Sequence, residues 1–189
     1  DKLTKYDVVF LGDVGLEKDG LNKEQCKNLA KLVKNQASGL VLIPGRNGRQ
    51  LSLAGSELNA LMPIIYDPDK PEGLGTKNPC LMELTEKGKL HWLTDLKGVE
   101  EPNREFWKKL PGFHWSACVL KSRPGSEVLA VHSNFRTDWG KMPTLALRYV
   151  GSGKTLFLGS DSAWRWRRGV EDKYHCLLYT SDAADELSC

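Results

Sequence analysis

Apolar positions in the first quarter of the chain follow the pattern of a strand–helix–strand unit. Residues 7–12 and 40–43 are short and mainly apolar runs, which are typical of strands buried on both faces. Between them, four apolar residues recur at the i, i+3, i+4 and i+7 spacing of an amphipathic helix: Cys26, Leu29, Ala30 and Val33. This order predicts two parallel strands joined by a right-handed helical crossover.

Local signals refine this first unit and predict the elements that follow it. Asn22 is an expected N-cap, with Gln25 as its capping-box partner. We expect a second helix over residues 52–61 and a short strand over residues 64–66. A Pro-, Gly- and Asp-rich surface loop is predicted for residues 67–79. Further on, short helices are expected at 81–88 and 103–110.

The pattern changes after residue 111 to closely spaced strands. Four are predicted, at residues 117–121, 127–132, 144–149 and 155–158. Tight turns at 123–126 and 151–154 separate neighbouring strands, and links this short join antiparallel partners. The sequence therefore predicts a parallel α/β core with an antiparallel strand extension.

Composition narrows the classes of function. The chain has 189 residues, enough for one domain with a real core. Its 27 basic and 24 acidic residues are interspersed, which favours a mixed surface over a nucleic-acid-binding face. No apolar run approaches the roughly 18 residues of a membrane span. Five cysteines without a CxxC pair and four histidines without metal-ligand spacing predict no metal and no cofactor.

The turn after the second predicted strand is the first candidate site. It contains Pro44, Gly45, Arg46 and Asn47, with no Cys, Ser or Thr at the break. Open α/β sheets bind ligands at the carboxyl ends of their strands. Arg46 and Arg49 offer guanidinium groups to a carboxylate or phosphate, and a following helix N-terminus favours an anion. Alternatively, the glycines only form the turn and the arginines are solvated.

The end of the last predicted strand is the second candidate. Asp161 or Ser162 is expected to cap a helix that begins at Ala163. Trp164 and Trp166 alternate with arginines beyond it. They form either a docking patch or ligand-facing wall, or an aromatic anchor that packs a last helix onto the sheet.

Two further motifs offer chemistry. Residues 151–155, Gly-Ser-Gly-Lys-Thr, look like part of a phosphate-binding loop, but the earlier glycine and the following helix are missing. A β-turn is therefore expected there. Cys118 and His132 lie in neighbouring predicted strands and form a conceivable nucleophile–base pair, although nothing in the local sequence activates the thiol.

Residues 6–13, 39–45 and 153–166 together resemble the class I glutamine amidotransferase-like domain of bacterial, planctomycete-type membrane proteins, which often carry von Willebrand factor A-type regions. The resemblance covers about residues 5–175. It implies a flavodoxin-like three-layer sandwich and a parent protein attached to the bacterial membrane, on an undetermined side.

The resemblance also implies what is missing. Catalytic members of the class hold a nucleophilic Cys in a strand–turn–helix elbow and a His-x-Glu after a later strand. The corresponding segments here, residues 44–47 and 159–162, contain neither thiol nor imidazole. We therefore expect a non-catalytic module that binds a small anion or a protein. The residues expected at its site are Asp13, Arg46, Asn47, Arg49, Asp161 and Ser162, with Trp164 and Trp166 as anchors.

Two alternatives stay open at this stage. One is a hydrolase or amidotransferase-type enzyme that uses Cys118 or the pair Asp13 and Asp161. The other is a purely structural domain that transmits assembly. We expect the domain to span residues 1–175 and to be truncated at both ends, because the chain starts without Met directly before a strand. Residues 176–189 resemble translated adapter sequence and are expected to be non-native or disordered.

Overall fold

The computed structural model describes residues 3–17, 19–95 and 103–162. Within these ranges the helices are α1 (Lys23–Gln36), α2 (Glu86–Leu90) and α3 (Asn103–Lys109), with 3-10 segments at Leu3–Lys5, Arg49–Gly55, Glu57–Ala60 and Trp92–Thr94. The strands are β1 (Val8–Leu11), β2 (Gly39–Leu42), β3 (Ile64–Tyr66), β4 (Leu74–Cys80), β5 (Met82–Leu84), β6 (Phe113–Ser116), β7 (Val119–Ser122), β8 (Ser126–Thr137), β9 (Gly140–Val150) and β10 (Gly153–Leu158).

A six-stranded mixed sheet with the order β1-β2-β10-β9-β8-β5 forms the centre. β1, β2 and β10 run parallel, whereas β9, β8 and β5 each pair antiparallel with their neighbour. The chain is thus a mixed α/β protein, and the expected antiparallel extension of a parallel core is present. Two smaller sheets, β3–β7 and β4–β6, stand beside it.

The helix of the first unit forms as predicted. The Gln25 amide donates to the Asn22 side chain at 2.8 Å, and the Asn22 amide donates to the Gln25 side chain at 2.8 Å, so the capping box is complete. The predicted stripe is buried: Cys26, Leu29, Ala30 and Val33. The cap and the stripe agree on one register for α1.

Apolar clusters cover both faces of the central sheet. One contains α1, the 3-10 segments after β2 and the β3–β7 pair; the other contains α3, β5 and β6. Phe157 belongs to the first cluster and Leu158 to the second. Successive side chains of a strand point to opposite faces, so β10 contributes to both cores. β2 is buried throughout, but on β1 Phe10 is half exposed, contrary to its uniformly apolar pattern.

The single helix expected over residues 52–61 is wrong. Two 3-10 segments, Arg49–Gly55 and Glu57–Ala60, take its place and meet at Ser56. The Ser56 backbone is extended, and its hydroxyl donates to the Leu53 carbonyl and accepts from the Leu58 amide at 3.2 Å. A serine that bonds the local backbone in this way ends one turn and caps the next.

The loop expected over residues 67–79 extends only to residue 73, and the helix expected over 81–88 forms only from Glu86 onward. Strand β4 lies in the first range, and the second divides into β5 and the start of α2. β4 pairs with β6, and β5 pairs with β8. These partners are distant in sequence, so tertiary pairing overrides the local preference.

The turn at residues 123–126 does not join paired strands, contrary to the prediction. It joins β7, which pairs with β3, to β8 in the central sheet. Arg123 holds β7 to this partner, because its amide donates to the Pro63 carbonyl at 2.8 Å and its Nε donates to the Ile64 carbonyl at 3.3 Å.

Several predictions fall on the remaining residues. The helix from Ala163, with Trp164 and Trp166, and the tail 176–189 lie outside the described residues. In the ranges that are described, no helix is long and apolar enough to cross a membrane.

Candidate functional site

The carboxyl ends of the three parallel strands meet at one edge of the sheet. Leu42 of β2 lies opposite both Leu11 of β1 and Phe157 of β10. Asp13 follows closely after the end of β1, and Asp161 follows closely after the end of β10. The turn after β2 therefore lies between the segments that carry these two aspartates, as expected for the crevice.

The Asp13 carboxylate stabilises the turn after β2 through two hydrogen bonds. Its Oδ2 accepts from the Asn47 amide and its Oδ1 accepts from the Arg49 amide, both at 2.9 Å. Gly45 leaves room for this contact, because a Cβ there would lie 2.7 Å from the Asp13 Cβ. The Arg49 amide at the start of the Arg49–Gly55 segment, which the sequence suggested for an external anion, and the Asn47 amide before it are thus bonded to the chain's own carboxylate.

A buried pair of polar side chains, Tyr66 and Gln50, links the turn to the neighbouring strands. The Tyr66 hydroxyl donates to Gln50 Oε1 at 2.7 Å, and Gln50 Nε2 donates to the carbonyls of Leu11, at 2.9 Å, and Gly12. Burial raises the pKa of Tyr66, and the negative charge of Asp13 raises it further. This pair ties β1, β3 and the turn together. The sequence analysis missed Gln50, whose only signal is a polar residue directly after the turn.

The side chains of the turn point outward. Arg46, Asn47 and Arg49 are exposed. Arg49 Nε lies 3.8 Å from Glu17 Oε1, and since both side chains are well solvated this ion pair contributes little to stability. No carboxylate in the described part of the chain forms an ion pair with Arg46. The turn therefore presents guanidinium groups to solvent.

The segment after β10 has its own hydrogen bonds. Ser160 Oγ donates to the Trp115 carbonyl at 2.8 Å and accepts from the Ser162 amide at 3.2 Å. Ser162 is buried, and its hydroxyl donates to an exposed Asp161 carboxylate oxygen at 3.0 Å. Asp161 faces solvent at the same sheet edge as the turn, whereas Ser160 holds the strand end to Trp115 of β6.

Cys118 and His132 do not form a nucleophile–base pair. The buried Cys118 thiol donates to Asp67 Oδ2 at 3.5 Å, and burial together with this contact raises the pKa of Cys118 to about 11. The buried His132 lies inside β8, where its Nδ1 accepts from the amides of Asn134 at 3.1 Å and Phe135 at 3.0 Å. The thiol is protonated at neutral pH, and the imidazole is engaged with the backbone.

The Gly-Ser-Gly-Lys-Thr segment is a β-turn, as expected, and it caps the wrong end of a helix for phosphate. The Ser152 amide and hydroxyl both donate to the Lys34 carbonyl at 2.9 Å, and the hydroxyl accepts from the Ala37 amide at 3.2 Å. These contacts satisfy backbone groups at the C-terminal end of α1, where the helix dipole favours cations and not phosphate.

Metal-ligating side chains are scattered. Over residues 3–17, 19–95 and 103–162, no three His, Cys, Asp or Glu side chains converge on a common point that would hold a metal ion. At the crevice, the guanidinium groups of Arg46 and Arg49 suit hydrogen bonding to an anion, whereas the carboxylates of Asp13 and Asp161 only accept hydrogen bonds.

Comparisons with known proteins show related folds only. No protein-family profile and no curated protein matches the chain. The cytoplasmic protein STM3548 from Salmonella typhimurium is similar in structure, with a TM-score of 0.69 and 18% identity over 98% of this chain and 73% of that one. The cytoplasmic protein STM1381 from Salmonella typhimurium LT2 has a TM-score of 0.62 and 15% identity, over 96% and 73%.

A cold-adapted β-galactosidase from Rahnella sp. R3 is also similar, with a TM-score of 0.58 and 13% identity. The match covers 99% of this chain but 24% of the enzyme, so it involves only part of that larger protein. At these identities the likeness shows a shared α/β fold and assigns no site or activity.

Proposed function

We propose that this chain is a non-catalytic, glutamine amidotransferase-like module with a flavodoxin-like three-layer fold, which binds a ligand or partner within a larger bacterial envelope protein. The domain spans residues 1–175 in this proposal, with Trp164 and Trp166 as packing anchors. The binding surface is the crevice at the carboxyl ends of β1, β2 and β10. Its ligand is a small anion or an anionic group on a protein.

The single observation that carries the proposal is that the Asp13 carboxylate is hydrogen-bonded to the backbone of the turn. Both of its carboxylate oxygens accept backbone N–H groups of the turn, at 2.9 Å each. A carboxylate held in this way is a structural brace and is poorly placed to act as a general base. The turn that it braces carries Arg46 and Asn47 where a catalytic elbow carries its nucleophile. A turn that is rigid and has no nucleophile is better suited to binding a ligand than to catalysis.

The ligand class follows from the exposed side chains. Guanidinium groups bind carboxylates and phosphates through paired, charge-assisted hydrogen bonds. Arg46 has no carboxylate partner within the described ranges, and Arg49 has only the long contact with Glu17. Both are therefore available to an anion at the cost of at most one weak ion pair.

A titration by NMR tests the proposal. Citrate and inorganic phosphate are added separately to the 15N-labelled chain at low ionic strength, and the amide signals of Asn47 and Arg49 are followed. We expect saturable shifts with one of the two anions. The double variant Arg46→Ala/Arg49→Ala should abolish them, while the charge-matched control Lys27→Ala/Lys31→Ala on α1 should preserve them. Equal shifts in both double variants would refute binding at the turn.

A thiol probe tests the hydrolase alternative. Iodoacetamide labelling followed by peptide mapping gives the rate at Cys118. Because its pKa of about 11 leaves the thiol protonated at neutral pH, we expect labelling only after unfolding in urea. Rapid labelling of Cys118 in the native chain would favour the enzyme.

A further inference from the structure

A second concave surface lies beside β7 and shares no residue with the turn after β2. It is a groove of about 680 Å³ between β7 and the β8–β9 hairpin. The volume lies within the range of small-ligand and peptide pockets. Its floor is apolar, with Leu120, Val128, Val131 and Pro143 among the lining residues. The floor can therefore bury apolar groups of a bound ligand.

The walls of the groove are cationic. Lys121, Arg123 and Lys141 line it, and no Asp or Glu is found among its described lining residues. Lys141 forms an ion pair with Glu83, which lies outside the groove. Lys121 and Arg123 have no carboxylate partner in the described part of the chain. The groove therefore carries positive charge that these parts of the chain leave unneutralised.

Arg123 shows this imbalance most directly. Its side chain donates to neutral acceptors, the Ile64 carbonyl at 3.3 Å and the Asn59 side chain. Burial lowers its pKa, and the nearby charge of Arg148 lowers it further. Its guanidinium therefore meets only neutral acceptors and a like charge among the described residues.

An aromatic ring and an open strand edge complete the surface. Trp139, at the hairpin tip, is 67% exposed, and the Lys121 Nζ lies 3.6 Å from its ring centroid. One edge of β7 pairs with β3, and among the described strands none forms a ladder with its other edge. The Val119 amide of β7 donates to Met142 Sδ of β9 at 3.4 Å, and residues 120–122 line the groove. The Thr137 hydroxyl donates to the Leu120 carbonyl at 2.8 Å, so the hairpin reaches β7 through a side chain there.

We propose that this groove binds an extended acidic peptide segment of a partner protein. The peptide adds as a strand along residues 120–122 of β7, where it bonds to the main-chain groups that Thr137 and Met142 leave free. Alternate side chains of a strand point the same way, so acidic residues at every second position face Lys121 and Arg123. An apolar side chain at the peptide's end packs on Trp139.

A peptide fits these features better than a nucleic acid does. Single-stranded nucleic acids require a row of aromatic platforms along a continuous basic path. Among its described lining residues this groove has one aromatic ring, and its three cations lie on β7, just after it, and at the start of β9. The open strand edge, moreover, has hydrogen-bonding groups that match a peptide backbone and not a sugar-phosphate chain.

Fluorescence anisotropy with the intact chain tests the proposal. The probe is a short fluorescein-labelled peptide of alternating Glu and Thr that ends in Leu; its counterpart carries Gln in place of Glu. We expect the acidic peptide to bind at low ionic strength and the Gln peptide to bind about tenfold or more weakly, the effect of roughly 1.4 kcal/mol of lost charge pairing. Methylating alternate amide nitrogens of the acidic peptide should also abolish binding.

Matched variants locate the site. Lys121→Glu and Trp139→Ala should each weaken the acidic peptide by about tenfold, while Lys31→Glu on the exposed face of α1 should leave it unchanged. Equal weakening by Lys121→Glu and Lys31→Glu would show non-specific attraction and overturn the proposal. Equal binding of the two peptides would also overturn it. So would displacement of the acidic peptide by a short single-stranded oligonucleotide at a lower concentration than the unlabelled acidic peptide requires.

Discussion

The carboxylate at the turn after β2 and the cations of the groove beside β7 differ in whether the chain itself provides their partners. At the turn after β2, the Asp13 carboxylate accepts two backbone N–H groups and is occupied within the chain. In the groove beside β7, Lys121 and Arg123 form no ion pair with any carboxylate of the described residues. A satisfied group indicates a structural role, whereas an unneutralised one indicates a place for a partner.

A second contrast concerns the kind of acceptor. In β8, the Nδ1 of His132 accepts two backbone N–H groups, as Asp13 does at the turn. The acceptor is a carboxylate in the parallel half of the sheet and a neutral ring in the antiparallel half. An imidazole nitrogen stops accepting as soon as it takes a proton, so we expect the antiparallel half to respond to mild acid.

Removing the Asp13 carboxylate should have the largest effect. Asp13→Ala leaves the amides of Asn47 and Arg49 without their acceptor, and we expect a loss of about 2–3 kcal/mol in the free energy of unfolding, measured in urea. Asp161→Ala is the matched control; its exposed carboxylate should cost less than about 0.5 kcal/mol. Similar losses in both variants would contradict the structural role of Asp13.

The second largest effect should come from lowering the pH, which weakens the antiparallel half of the sheet. Burial lowers the pKa of His132, an effect that Glu83 partly offsets. Above about pH 6.5 both folded and unfolded chains are neutral at this site and its contribution is complete. Below that, the unfolded chain binds a proton first, so stability falls by up to about 1.4 kcal/mol per pH unit until the folded pKa is reached.

The variant His132→Gln isolates this effect. Its free energy of unfolding should be lower than that of the parent at pH 7, and the difference should narrow as the pH is lowered to about 5, because only the parent loses this contribution. A difference that stays constant with pH would show that His132 does not titrate differently in the folded state.

A smaller effect is expected at the turn before β10. Ser152→Ala removes a hydroxyl that bridges Lys34 and Ala37 at the end of α1, and we expect a loss of about 1 kcal/mol by urea unfolding. Lys31→Ala on the exposed face of the same helix is the control and should change stability by less than about 0.5 kcal/mol. If the two variants unfold at the same urea concentration, the Ser152 bridge does not stabilise the helix end.

The groove residues should contribute least to stability. Lys121→Ala and Trp139→Ala remove side chains that contact each other at the groove, and we expect each to cost less than about 1 kcal/mol. Thermal unfolding of both variants checks this. A much larger loss would show that these residues hold the hairpin in place and would weaken the case for a binding role.

Much of the fold was predictable where local patterns agree with each other. The α1 stripe and its capping box specify one helix register, and short apolar runs specify β1 and β2. Errors occurred where pairing partners are remote. Met82–Leu84 was predicted as helix because only β8, more than forty residues away, makes it a strand. Ser56 divides a predicted helix because its hydroxyl competes for the local backbone.

The candidate site was predictable in position and less so in role. The carboxyl ends of parallel strands share an edge, so Asp13, Arg46 and Asp161 were expected there together. The sequence did not reveal that Asp13 is bonded to the amides of the turn, nor that Gln50 lies beneath it. Hydrogen bonds across more than thirty residues depend on how the strands pack.

Residue type and short-range spacing were enough to specify the strand–helix–strand unit, the antiparallel extension and the lack of a nucleophile in the turn. They could not specify which polar groups the chain satisfies internally. Folding bonds Asp13 and Ser152 to the backbone, withdraws the Cys118 thiol from solvent and leaves Lys121 without a carboxylate among the described residues. The physical reason is that hydrogen bonding and desolvation depend on neighbours that only the folded chain brings together.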